Sequence, residues 1–148
     1  MTFIPADKII LALDGMDKSS SMSLIAALPK LTWVKVGLEL FVKEGPSFVD
    51  ELRKQGKKVF LDLKFHDIPT TMSKSCRQAA ISGAGLITVH ACAGRRALEE
   101  SNKAAIESAL DLGLPVPKLL AVTVLTSWTS SDFAKELFFP ISIIAISN

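Results

Sequence analysis

Residues 57–71 read Lys57-Lys58-Val59-Phe60-Leu61-Asp62-Leu63-Lys64-Phe65-His66-Asp67-Ile68-Pro69-Thr70-Thr71. The run from Lys57 to Lys64 has strand length and carries branched and aromatic side chains on both of its faces, the pattern of a strand buried on two sides in a parallel sheet. It passes at once into charged residues, and Pro69 then introduces a helical stretch predicted over Thr70 to Ser82.

The same unit recurs on either side. Lys8 to Asp14, Leu31 to Gly37, Leu86 to His90 and Lys118 to Leu125 are further apolar runs of strand length. Helices are predicted between them. Ser19 to Leu28 groups Met22, Leu24, Ile25 and Leu28 and stops at Pro29. Glu44 to Gln55 groups Phe48, Val49 and Leu52 and stops at Gly56. In Thr70 to Ser82 the apolar face is Met72, Cys76, Ala79 and Ala80; in Arg95 to Leu112 it is Leu98, Ala105, Ile106, Ala109 and Leu110. Strict alternation of strand and helix predicts an α/β chain with a parallel sheet.

Chemistry in such folds collects at the C-terminal ends of the strands. Asp14, Lys35, Asp62, Lys64, His90 and Thr126 fall at or near those ends. The spacing favours a TIM (β/α)8 barrel over a doubly wound sheet. No Gly-x-Gly-x-x-Gly and no Gly-x-x-x-x-Gly-Lys-Ser/Thr occurs, which weighs against dinucleotide and nucleoside-triphosphate sites. A closed barrel takes at least about 200 residues, and five strands in 148 residues predict an incomplete one, residues 1–148 forming a single domain with an atypical tail over 133–148.

Residues two apart on a strand face the same side, so Asp62 and Lys64 are expected to point together while Leu63 points away. Asp67, in the following loop, can bring a second carboxylate to the same lysine. An ammonium between carboxylates stays protonated, which makes it a proton donor rather than a nucleophile. The carboxylates would oppose an anionic substrate group that is lost as neutral CO2. That combination suggests decarboxylation, with the lysine protonating the carbon left behind. The plainer alternative is an Asp–Lys pair that only solubilises a strand end.

These residues resemble the orotidine 5′-phosphate decarboxylase family from Ile9 to about Ser131. The resemblance is carried by Leu13-Asp14, Val34-Lys35-Val36-Gly37, Glu39-Leu40-Phe41 with Glu44-Gly45-Pro46, the block Asp62 to Thr71, Val89-His90-Ala91 and Ala121 to Ser127. It implies a TIM-barrel carboxy-lyase, homodimeric and free of metal and organic cofactors, converting orotidine 5′-monophosphate to uridine 5′-monophosphate and CO2 in pyrimidine synthesis. It further implies that Asp14 and Lys35 bind the ribose hydroxyls, that Lys64 donates the proton to C6 and that Asp62 sits beside the departing carboxylate. Asp67 and Thr71 would reach the partner subunit's site, and Thr126 or Ser127 would bond the substrate near the pyrimidine. The rest of the block, Leu63, Phe65, His66, Ile68, Pro69 and Thr70, would line or brace the substrate site.

The Pro-Gly-Ile-Arg segment, the glutamine-bearing phosphate loop and the final Gly-Arg pair that the resemblance leads one to expect do not occur. The expectation is therefore an interrupted decarboxylase sequence with at most trace activity and poor solubility. Two other readings compete. One is a Mg2+-dependent sugar-phosphate decarboxylase of the same superfamily, disfavoured by Lys35 where an acidic ligand is needed and by His66-Asp67-Ile68-Pro69. The other is a non-catalytic half-barrel fragment.

Composition agrees with a globular chain: 49% hydrophobic, 22% charged, with 17 Lys+Arg against 15 Asp+Glu. That balance gives no footprint for nucleic acid or an anionic membrane. Cys76 and Cys92 are too few for a disulfide scaffold, and a reducing, cytoplasmic setting is expected. No run reaches the roughly 18–20 apolar residues of a membrane span, and His66, Asp67, His90 and Cys92 lack the close spacing of a zinc site.

Overall fold

A computed structural model describes residues 6–129 together with 131, 133 and 135. A 3-10 turn at Ala6–Lys8 leads into β1 (Ile10–Ala12), α1 (Lys18–Ala27) and β2 (Trp33–Gly37), then α2 (Leu38–Glu44), α3 (Pro46–Lys54) and β3 (Lys58–Phe65). α4 (Pro69–Ile81), β4 (Ala84–His90), α5 (Arg95–Asp111) and β5 (Lys118–Val122) follow, with a 3-10 turn at Ala91–Ala93. The expected tail over 133–148 lies almost wholly outside the described residues.

All five strands are parallel, and their order in the sheet is their order in the chain, β1-β2-β3-β4-β5. A doubly wound sheet reverses direction at a switch point. This one does not, and a sequential parallel sheet is the arrangement of a barrel wall.

The core lies between this sheet and its helices. Val34, Val36, Val59, Leu61, Ile87 and Val89 are fully buried on the three middle strands, in one core with Phe48, Val49 and Leu52 of α3. Met72, Cys76, Ala79 and Ala80 form the buried face of α4, as their spacing predicts. Burial pushes the Cys76 thiol up, so that it remains a protonated packing group. Asp17 caps α1 by accepting the Ser20 N–H at 2.7 Å.

Three expectations are corrected. The stretch before α3 is itself a helix, α2, separated from it by Gly45 at φ +72°, a conformation that only glycine adopts without strain. β5 stops at Val122 rather than running on to Leu125, and Thr126 and Ser127 lie in a turn. In α5 the buried face is Ala97, Ser101, Ala105, Ser108 and Ala109, while Leu110 is exposed. Close approach to α4 favours small side chains there, and size overrides hydrophobicity. Among the described residues, no helix is long and apolar enough to cross a membrane.

Candidate active site

β3 alternates as its sequence requires. Phe60, Asp62 and Lys64 face an open cleft of about 570 Å3, whereas Leu61, Leu63 and Phe65 pack into the core on the opposite face. The Lys64 ammonium bonds Asp62 Oδ1 at 2.8 Å. Across the cleft, Leu120 and Val122 of β5 and the turn residues Thr126 and Ser127 complete the wall. The structure thus gathers Asp62, Lys64 and Thr126 from separate parts of the expected set.

The pair does not arise from a regular strand. Register between β3 and β4 runs Leu61↔Ile87 and then jumps to Phe65↔Val89, so that Thr88 alone stands opposite Asp62, Leu63 and Lys64. This is a bulge, and within it Lys64 takes φ +50°, the only non-glycine residue with positive φ among those described. Such a conformation costs a residue with a Cβ about 1–2 kcal/mol and persists where neighbours fix it. Thr88 is such a neighbour. Its Oγ1 accepts the Lys64 N–H at 2.8 Å and donates to Asp62 Oδ1 at 3.0 Å. Sequence reasoning passed over Thr88 because it sits within an apolar strand; a hydroxyl at a strand end beside the Asp-x-Lys strand was the available signal.

One strand away, Asp14 and Lys35 form an ion pair. Lys35 is on β2, and Asp14 follows β1, placed by the Leu13 N–H bonding the Lys35 carbonyl at 3.1 Å. Gly37, paired in register with Asp62, makes room for the pair. A Cβ there would come within 2.6 Å of Asp14 Oδ1.

Other members of the set are not brought to Lys64. Within the chain, Asp67 makes no ion pair with it, against the sequence expectation. Its Oδ1 accepts the Ile68 N–H at 2.6 Å instead, because the chain turns toward Pro69, the first residue of α4. Thr71 and Phe65 line a separate hollow of about 380 Å3 on the helix side with Phe41, Pro46 and Lys74. The Thr70 carbonyl accepts the Ser73 hydroxyl, and Ile68 is exposed. His66 lies against His90, ring centroids 5.3 Å apart, with Cys92 Sγ 3.9 Å from its Nε2. These three do not make a cation site; among the described residues no group of three or more His, Cys, Asp or Glu is placed to hold a metal ion.

Comparison with known proteins agrees with this fold. The family model described as Orotidine 5′-phosphate decarboxylase / HUMPS family matches residues 7–146. The orotidine 5′-phosphate decarboxylase of one Prochlorococcus marinus strain is 63% identical over 137 residues, covering 93% of this chain and 57% of that protein. That of Synechococcus sp. (strain WH7803) is 59% identical over 133 residues, covering 90% and 55%. Among solved structures, orotidine 5′-phosphate decarboxylase from Lactobacillus acidophilus superposes with a TM-score of 0.80 at 34% identity, over 90% of this chain and 60% of that one. An uncharacterized conserved protein from Geobacillus kaustophilus gives 0.80 at 38% identity, over 88% and 61%. The chain therefore spans a little over half the length of these relatives.

Proposed function

Because the chain belongs to the orotidine 5′-phosphate decarboxylase / HUMPS family, we propose that it acts on orotidine 5′-monophosphate, releasing CO2 and leaving uridine 5′-monophosphate, in pyrimidine synthesis. The observation that carries this reading is the Lys64 ammonium held at 2.8 Å on Asp62 in a cleft that also receives Thr126. Asp62 disfavours the substrate carboxylate beside it. As the bond from C6 to that carboxylate breaks, its electron pair stays on C6 and the carbon leaves as neutral CO2. Lys64 delivers a proton to C6 and regains one from solvent. Stabilising the charge that develops on C6 is the larger task, and a preorganised ammonium in a fixed position performs it without reorganisation. Asp14 and Lys35 hold the ribose hydroxyls, and Thr126, with Ser127 beside it, bonds the pyrimidine.

Asp67 makes no ion pair with its own Lys64 and Thr71 lines the hollow on the helix side, which fits a homodimer in which each subunit lends them to the other's cleft. Leu38, Val42 and Ile68, large apolar side chains left exposed on α2 and the loop before α4, suit such a contact. In this reading no metal and no organic cofactor takes part, and the enzyme works in the cytoplasm. Lys35, already bonded to Asp14, stands where a Mg2+-dependent relative would need a carboxylate free to bind the ion.

Chromatographic detection of uridine 5′-monophosphate tests the proposal. Product, in at most trace amount from this chain, is expected from orotidine 5′-monophosphate equally with and without EDTA. Product that disappears with EDTA would favour the metal-dependent reading, and conversion of a sugar phosphate alone would reject the pyrimidine one.

A further inference from the structure

We propose that the Thr88 hydroxyl is a positioning group for the Asp62–Lys64 pair, holding Lys64 in its left-handed backbone conformation and turning one Asp62 oxygen onto the Lys64 ammonium. Its consequence for turnover rests on the decarboxylase reading above; its geometry does not. Thr88 is 2% exposed and lines the cleft floor between β3 and β5. At the bulge, where the β3–β4 register is interrupted, the Lys64 N–H turns to Thr88 Oγ1 at 2.8 Å. A hydroxyl has one proton to give. Since the Lys64 N–H can only donate, that proton goes to Asp62 Oδ1 at 3.0 Å. The same carboxylate oxygen receives the Lys64 ammonium at 2.8 Å. Three hydrogen bonds thus close a ring from the Lys64 backbone, through Thr88 and Asp62, to the tip of the Lys64 side chain. The ring ties the backbone of the proton donor to the orientation of its carboxylate.

Valine at this position keeps the shape and β-branching of threonine but can neither donate nor accept. Serine keeps the hydroxyl and loses only a methyl. The test combines amide hydrogen exchange at Lys64 with steady-state decarboxylation of orotidine 5′-monophosphate in the parent, Thr88→Val and Thr88→Ser. In Thr88→Val the Lys64 amide should exchange about tenfold faster or more, and kcat should fall about 10- to 100-fold, the equivalent of one hydrogen bond to a charged group. KM should stay within about twofold, because the interaction lost is one made within the enzyme. Thr88→Ser should restore both readings.

A Lys64 amide in the parent that exchanges as fast as an open one would overturn the proposal without any variant. So would a folded Thr88→Val chain with parental exchange, or one whose exchange rises while kcat is unchanged. A parent that releases no labelled CO2 at all from carboxyl-labelled orotidine 5′-monophosphate, with exchange responding as expected, would remove the decarboxylase reading and leave the hydroxyl's hold on Lys64 standing.

Discussion

Two lysine–carboxylate pairs stand one strand apart at the C-terminal edge of the sheet, and they are assembled by opposite means. Asp14 and Lys35 are 21 residues apart and meet because β1 and β2 are neighbours and Gly37 leaves a space between strands. Asp62 and Lys64 are two residues apart and meet on a distorted strand clasped by Thr88. Exposure is inverted as well. In the first pair the lysine is the enclosed partner, 17% against 56% for its acid; in the second the lysine is the open one, 37% against 17%. An enclosed ammonium suits a fixture of the charge array. The proton donor proposed above has to reach both substrate and solvent, and the second pair leaves its lysine the more open of the two partners.

The comparison can be broken at three levels. Leu61→Ala should disturb both pairs, since Leu61 is fully buried immediately before Asp62 on β3 and stands in register with Val36, the neighbour of Lys35 on β2. A cost of about 2–5 kcal/mol in unfolding free energy is expected from the cavity, read by urea denaturation. Gly37→Ala should loosen only the first pair, because the new Cβ would come within 2.6 Å of Asp14 Oδ1 and displace that carboxylate from its present position. Affinity for uridine 5′-monophosphate should drop by about 1.5–3 kcal/mol, one charged hydrogen bond, in titration calorimetry, with the Lys64 amide environment unchanged in NMR spectra. Asp14→Asn should be smallest in stability, below about 1 kcal/mol, because an exposed ion pair contributes little. A larger loss would mean that the pair supports the fold as well as the site.

Much of this was legible in the sequence, for reasons that particular residues make plain. The apolar runs around Val34, Leu61 and Ile87 declare the strands of a parallel sheet, and period-two alternation puts Asp62 and Lys64 on one side; burial of both faces does not hold, because β3 opens one face on the cleft. The faces of α3 and α4 follow from the spacing of Phe48, Val49 and Leu52 and of Met72 and Cys76. What escaped depends on partners distant in the chain. Lys64 is left-handed only because Thr88, 24 residues later, receives its N–H. The buried face of α5 is small rather than greasy because α4 lies against it, and Leu110 is left in solvent. Within its own chain Asp67 is engaged locally at the turn into Pro69, so the sequence spacing alone does not bring it to Lys64, two strand positions after Asp62. α2 went unseen because Leu38–Glu44 is short and buries only Leu40.

The account stands most directly on Lys64 as the proton donor. Release of labelled CO2 from carboxyl-labelled orotidine 5′-monophosphate, compared between the parent and a folded Lys64→Ala chain, measures that role even at low turnover. A fall of about 10²- to 10⁴-fold, the range for loss of a positioned acid, is predicted. Undiminished release from the alanine variant would contradict it.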